Sequence, residues 1–261
     1  MSRSPHEYAE LALDVAREAA ALVLTGYRSH PRASQKRHAE VVTDFDFASE
    51  RLIRERLQTL TPHVPIVAEE EGGTEGANLT WYCDPIDGTT NFVHGHPFWC
   101  VSIGLCDAGR PLAGAVVAPA IATEWWGAVG SGAFRNAEPC AVSTTAAIEH
   151  ALVATGFPSD RSTAPHNNFD AFMRVKRRVQ GVRRCGSAAI DSCLVADGTY
   201  DAYWERVLSM WDIAAGTAIA LAAGARLSAL DGSAVNLRVG HLLVSNGHVH
   251  DALLELVDTR A

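Results

Sequence analysis

Asp84-Pro85-Ile86-Asp87-Gly88-Thr89-Thr90-Asn91 is the stretch on which the reading of this chain turns. Pro85 fixes its own φ and restricts Asp84, so the two acids lie on extended or turned backbone and not on a helix. The short apolar run over 80–83 predicts a strand, with Asp84 and Asp87 flanking a tight bend just after it. Two carboxylates converging on one bend repel each other and resist burial unless a cation lies between them. Oxygen-only donors suit a hard cation, Mg²⁺ or Mn²⁺. Gly88-Thr89 can offer backbone N–H groups to an anion at a helix start. Asp-Pro and Asp-Gly are each ordinary turn formers; only the whole string, placed after a strand, brings acids for a metal beside amides for a phosphate ester.

Upstream, apolar residues at Tyr8, Leu11, Ala12, Val15, Ala19, Leu22 and Val23 mark a helix over 5–27. The polar segment 29–40 reads as a loop or short hairpin. Thr43 with Asp46 resembles a capping box that starts a helix running to Leu60, before Thr61-Pro62. A strand at 65–68 ends in Glu69-Glu70-Glu71. Downstream, 98–134 alternates apolar runs with Gly, Pro and Asp turns, as an antiparallel meander does. The second half alternates: a strand at 151–155, helices at 168–179 and 186–196, a strand at 200–204, a helix at 211–223, strands at 226–230 and 241–245, and a last helix at 250–257. Short links between alternating elements argue a layered α/β half. The soft boundary near 138–148 divides an N-terminal α+β half (1–142), with most of the acids, from a C-terminal α/β half (143–261); the two can count as one domain.

The 261 residues are 48% apolar and carry 22 Lys+Arg against 30 Asp+Glu, a net charge of −8. That balance attracts neither nucleic acid nor an anionic membrane. No apolar run is long enough to span a bilayer, and the N-terminal residues lack a secretory pattern. The six cysteines show no CxxC pair and read as reduced thiols of a cytoplasmic protein.

At this point a resemblance emerges. DPIDGTTNFVHGHPF resembles the first signature of the inositol monophosphatase family, and Trp211-Asp212-Ile213-Ala214-Ala215-Gly216 the second. VVTDFD, AEEEGG and RCGSAAIDSCLVADGTYDAYWE are similar to further family elements, in order, over about 5–257. The resemblance implies a layered αβαβα sandwich of the sugar-phosphatase type and a lithium-sensitive phosphoric monoester hydrolase. It assigns metal ligation to Glu69, Asp84, Asp87, Asp212 and the Ile86 carbonyl, with Asp46 near a weaker third position and two or three Mg²⁺ bound, Mn²⁺ being an alternative. Glu69 and Thr89 would orient the attacking water, Asp87 would share in catalysis, and the amides of Gly88 and Thr89 would hold phosphate oxygens. Gly186, Ser187, Ala188 and Glu205, beside Asp212, fall where the family contacts its substrate, and Lys36 lies near a basic loop position. A homodimer is implied, with Trp125 and Trp126 in the meander as its interface. Inositol 1-phosphate is the substrate the motifs resemble most; histidinol phosphate, fructose 1,6-bisphosphate and phosphoadenosine phosphate are the alternatives within the family.

Bland readings stand beside these. Asp46 reads equally as a capping residue, and Asp212 as an acid favoured by a helix dipole. Glu70 is an alternative to Glu69, because three acids stand where the family usually has two. His94 and His96 read as loop or substrate-rim residues rather than zinc ligands. Trp81, Trp99, Trp125 and Trp126 read as core or interface. Arg174, Lys176, Arg177, Arg178, Arg183 and Arg184 form a basic run, most simply a solvated helix face, with a contribution to holding an anionic substrate, or a partner surface, as the alternatives. Since relatives are known to associate with transcription machinery, a binding protein of the same fold is the non-enzyme alternative.

Overall fold

Ser4 starts the first helix: its hydroxyl accepts from the Glu7 N–H (3.3 Å) while the Glu7 carboxylate accepts from the Ser4 N–H (2.6 Å). In the computed structural model, which describes residues 3–37, 40–159, 162 and 167–258, that helix is α1 (Pro5–Leu24). The polar segment after it is a hairpin, β1 (Ala33–Arg37) and β2 (Glu40–Thr43), paired antiparallel; residues 38–39 lie outside the described residues. Thr43 and Asp46 form the expected capping box at the head of α2 (Asp44–Leu60).

Seven strands follow in one sheet, ordered β3-β4-β5-β6-β7-β8-β9. They are β3 (Ile66–Ala68), β4 (Leu79–Asp87), β5 (Cys100–Asp107), β6 (Arg110–Ala118), β7 (Thr123–Ala128), β8 (Gly132–Arg135) and β9 (Glu138–Cys140). Only β3 pairs in parallel in this sheet; from β4 to β9 the neighbours are antiparallel, the expected meander, which β8 and β9 carry past residue 134. The short α3 (Thr89–Val93) lies between β4 and β5. The second sheet has the order β11-β10-β12-β14-β13, from β10 (Leu152–Thr155), β11 (Gly181–Arg183), β12 (Ala202–Glu205), β13 (Arg226–Ser228) and β14 (Leu242–Ser245). The remaining helices are α4 (Phe169–Lys176), α5 (Ala188–Ala196), α6 (Met210–Ala222) and α7 (His250–Val257).

The layers are αβαβα. Helices α1 and α2 cover the outer face of the large sheet, with Leu11, Val15, Ile53 and Leu57 packed against Trp81, Ile103 and Leu105. Helices α5 and α6 fill the space between the sheets, where Ile190, Leu194, Ile213 and Ile219 meet Val116 and Trp125 on one side and Tyr203 and Val244 on the other. Helices α4 and α7 close the far face of the small sheet. The middle helix α6 lies very near the large sheet: a Cβ at Gly104 would stand 2.4 Å from Ala215 N, and one at Gly114 2.7 Å from Ala215 Cα. Glycine in β5 and β6 is what lets this helix settle there.

Two expectations are corrected. Asp84 and Asp87 do not flank a bend beyond a strand; β4 runs through both, opposite Ser102 and Cys100, and its register shifts between them. That shift is a bulge, the one place inside a paired strand where a proline can sit. The basic run is not one solvated helix face either. Arg174 donates from Nε to the Leu256 carbonyl (2.7 Å) and from Nη2 to that of Asp258 (3.3 Å) at the end of α7, where a cation suits the last carbonyls; Arg184 follows β11 and faces the cleft described next.

Candidate active site

A cleft of about 620 Å³ opens where the two sheets and the start of α6 meet. Its lining brings together Glu69, Asp84, Ile86, Asp87, Gly88, Thr89, Gly186, Ser187, Ala188, Glu205 and Asp212. Five acids thus arrive from four places: Glu69 after β3, Asp84 and Asp87 in β4, Glu205 at the end of β12 and Asp212 in the first turn of α6.

Local chemistry fixes each of them. The bulge turns the Ile86 N–H onto Asp84 Oδ1 (3.0 Å). Asp87 Oδ2 accepts from Ser187 Oγ and from the Ala189 N–H, both at 2.7 Å, at the head of α5. Asp212 Oδ2 accepts from the Ser209 N–H (2.6 Å). Glu205 Oε2 accepts from the Tyr203 hydroxyl (2.6 Å). Gly88 has φ 95°, and a Cβ there would meet the carbonyls of Phe98 (3.0 Å) and Gly186 (3.1 Å), so glycine is required where the chain turns from β4 into α3.

The electrostatics are those of acids crowded out of water. Burial first, then Glu69, Asp87 and Asp212, pushes Asp84 well above the usual carboxylate range. Burial followed by Asp87 and Glu69 does the same to Asp212, against the pull of its hydrogen bond from Ser209. Asp87 is pushed up to about 6 by burial, its Ser187 and Ala189 hydrogen bonds opposing the rise. Burial lifts Glu205 to about 7. Glu69 is also raised by burial, against the attraction of Lys36. Among the described residues the one cation bonded to a wall acid is Lys36, whose Nζ lies 3.1 Å from Glu69 Oε1 and 2.8 Å from Glu70 Oε2.

Among the described residues no three His, Cys, Asp or Glu side chains are already gathered as a metal-coordinating group. The acids stand around the cleft rather than at its centre. Even so, the donor set fits a hard divalent cation. The acids that face the cleft raise one another's pKa values, and among the described residues no cationic side chain other than Lys36 lies at ion-pairing distance from them.

Asp46 is not among the residues lining the cleft. Its Oδ2 accepts from the N–H and hydroxyl of Thr43 (2.7 and 2.6 Å), and its Oδ1 lies 3.2 Å from Thr89 Oγ1, which also donates to the Ile86 carbonyl (3.0 Å). Of the Glu run, Glu69 lines the cleft, whereas the Glu70 side chain is buried against Lys36. His94 and His96 are exposed and lie outside the lining.

Sequence reasoning missed two supports. Asn91 Nδ2 donates to the carbonyls of Phe98 (2.6 Å) and Cys185 (2.8 Å), tying the first acidic string to the segment that leads into α5. Buried Glu50 accepts from the N–H groups of Glu70 (2.7 Å) and Glu71 (2.9 Å) and thereby sets the turn that presents Glu69. Asn91 closes the acidic string itself, which was a signal; nothing local marks Glu50.

The profile of the inositol monophosphatase family matches residues 4–260. The chain belongs to that family. Inositol monophosphatases are phosphoric monoester hydrolases, so the chain is an enzyme of that class. Over 219 residues it is 42% identical to an inositol-1-monophosphatase from Synechocystis sp., an alignment covering 83% of this chain and 76% of the relative. It is 36% identical to the Nus factor SuhB of Pseudomonas aeruginosa, over 95% of this chain and 94% of the relative. A solved inositol monophosphatase structure from Anabaena superposes with a TM-score of 0.87 at 36% identity, covering 96% of this chain and 94% of that one. The αβαβα sandwich is therefore the inositol monophosphatase fold.

Proposed function

We propose that this inositol monophosphatase hydrolyses inositol 1-phosphate by direct attack of water on phosphorus, with inversion, and that it uses Mg²⁺. The observation that carries the reading is the convergence of Glu69, Asp84, Asp87 and Asp212 on one cleft beside the turn at Gly88 and Thr89. Those four acids and the Ile86 carbonyl would hold the metal. When bound, Mg²⁺ would supply the positive charge that offsets the phosphate and the developing alkoxide, and would acidify water. The chain's own groups do the rest. Glu69 and the Thr89 hydroxyl orient the attacking water, Glu69 taking its proton. The N–H groups of Gly88 and Thr89 hold phosphate oxygens from a fixed backbone, which needs no reorganisation as charge builds. Ser187 and Ala189 hold Asp87 in place. Glu205 accepts a hydrogen bond from a substrate hydroxyl on the far wall, which Gly186 and Ala188 complete.

A homodimer and a cytoplasmic location belong to the same proposal. The outward side of the meander supports the first: Trp126 stacks on Phe134 at 4.4 Å and lies 5.4 Å from His6, whereas Trp125 is wholly buried and belongs to the core. Six free cysteines support the second. No described helix is long and apolar enough to cross a membrane.

The test is phosphate release with Mg²⁺ from inositol 1-phosphate, histidinol phosphate, fructose 1,6-bisphosphate and phosphoadenosine phosphate. Inositol 1-phosphate is expected to give the highest kcat/KM. A higher value for any other ester moves the substrate assignment to that ester, and no release from any of them leaves the chain a binding protein with this fold.

A further inference from the structure

The cations around the cleft are not equivalent. Lys36 is held by Glu69 and Glu70. Arg238 is held by Glu75, with Nη2 at 2.6 Å and Nε at 2.9 Å. Arg206 is buried and donates to the Val257 carbonyl (2.9 Å). Arg184 lines the cleft with these three, yet among the described residues its guanidinium makes neither a hydrogen bond nor an ion pair. Its charge is felt by Glu205 and by Asp191, both of which it draws toward the ionised form.

Two glycines make room for this pair. A Cβ at Gly186 would stand 2.8 Å from Arg184 Nη1, and a Cβ at Gly156 would stand 2.0 Å from both carboxylate oxygens of Glu205. The backbone on either side is thus cleared where the guanidinium and the carboxylate stand. Tyr203 occupies Glu205 Oε2, which leaves Oε1 for a ligand. A planar fork of donors and a half-engaged acceptor lining one cleft match neighbouring hydroxyl groups, each of which both accepts and donates. A second phosphate suits the place less well, because Glu205 would face it.

From this geometry we infer that Arg184 selects the substrate by its alcohol: the guanidinium donates to hydroxyl oxygens of a polyhydroxylated leaving group while Glu205 accepts from an adjacent hydroxyl. The inference rests on the phosphatase reading of the cleft and names a specificity-determining residue within it.

The test compares kcat/KM for inositol 1-phosphate with that for phenyl phosphate, whose leaving group carries no further hydroxyl. Hydrogen bonds to a charged group are strong enough that the ratio should fall about tenfold or more in Arg184→Ala, mainly through KM for the inositol ester. Arg184→Lys keeps the charge without the fork and should fall between the two. Gly156→Ala, which displaces the Glu205 carboxylate, should lower the same ratio from the other side. An unchanged ratio in Arg184→Ala overturns the inference, and so does an equal loss on both esters, which would place Arg184 on the phosphoryl group or in the fold. A wild-type enzyme that cleaves phenyl phosphate but not inositol 1-phosphate faults the substrate reading instead, and one that cleaves neither faults the phosphatase reading itself.

Discussion

Helices α2 and α6 begin in the same way and end up doing different things. Each carries an aspartate three residues after its cap, Asp46 after Thr43 and Asp212 after Ser209, and each aspartate accepts from the cap residue's N–H, at 2.7 and 2.6 Å. There the likeness stops. The second bond from the Thr43 hydroxyl and the approach of Thr89 surround the Asp46 carboxylate, and it lies outside the cleft lining. Asp212 has, among the described residues, only its backbone partner; it lines the cleft and feels Asp87 and Glu69. A capping box decides where an acid sits on its own helix. The layer in which the helix packs decides what the acid faces: α2 lies outside the large sheet, α6 between the two sheets with its N-terminus at the cleft.

The sharpest way to break this comparison is to neutralise both acids. Asp212→Asn should lower kcat/KM for inositol 1-phosphate by about 10³-fold or more, since it removes several kcal/mol of charge stabilisation from the cleft. Asp87→Asn should do the same. Asp46→Asn acts only through Thr89 and should cost roughly tenfold, because an amide can keep one of the hydrogen bonds. Steady-state kinetics at saturating Mg²⁺ decide it: equal losses at 46 and 212 would mean that both acids reach the reacting atoms.

A smaller effect separates the two in stability. Asp46 and Asp87 titrate at about 6 in the fold against an ordinary 3.8, and Glu205 at about 7 against 4.5; Asp84 and Asp212 are raised further. The folded protein therefore binds more protons than the unfolded chain over these intervals, and the stability this gives is present at low pH and lost as pH rises through 6 to 7. Buried His250, lowered to about 4 from 6.5, works the opposite way, as do Glu7, Glu75 and Asp251, which hydrogen bonds hold below the ordinary carboxylate value, whereas burial raises Glu69, Glu70 and Asp191 as well. In EDTA the melting temperature should fall between pH 5 and pH 8, and Mg²⁺ at pH 8 should raise it again. Asp212→Asn should flatten the fall and weaken the Mg²⁺ effect. A melting temperature that climbs from pH 5 to pH 8 in EDTA would show that the acids do not destabilise one another.

The same contrast explains what could be read from the sequence. Helix α1, the cap of α2, the meander and α7 are local patterns, and local periodicity and turn chemistry located them within a few residues. The acids of the two signatures were legible because each lies in a distinctive string. What the helices face was not: α5 and α6 are apolar nearly all round, so no stripe tells which side meets which sheet. Arg184 read as one more charge in a basic run because Gly156, Glu205 and Gly186, which give its position meaning, come together only when β10, β12 and the head of α5 are side by side. Asp46 stayed ambiguous between cap and ligand because a capping box looks the same in sequence whether or not its acid is surrounded.

The mildest prediction asks how far the cap of α2 reaches. Thr43→Ala removes the hydroxyl that donates to Asp46 (2.6 Å) and accepts from the Phe45 N–H (3.2 Å), while the Thr43 N–H still holds Asp46 Oδ2. Loss of a threonine cap costs about 1 kcal/mol, which in a protein of this size lowers the melting temperature by about 2–4 °C. Because Asp46 remains on its backbone partner and on Thr89, kcat/KM should fall less than in Asp46→Asn. If Thr43→Ala instead lost as much activity as Asp46→Asn, the cap hydroxyl would be orienting Thr89 through Asp46, and α2 would contribute to the reaction as directly as α6 does.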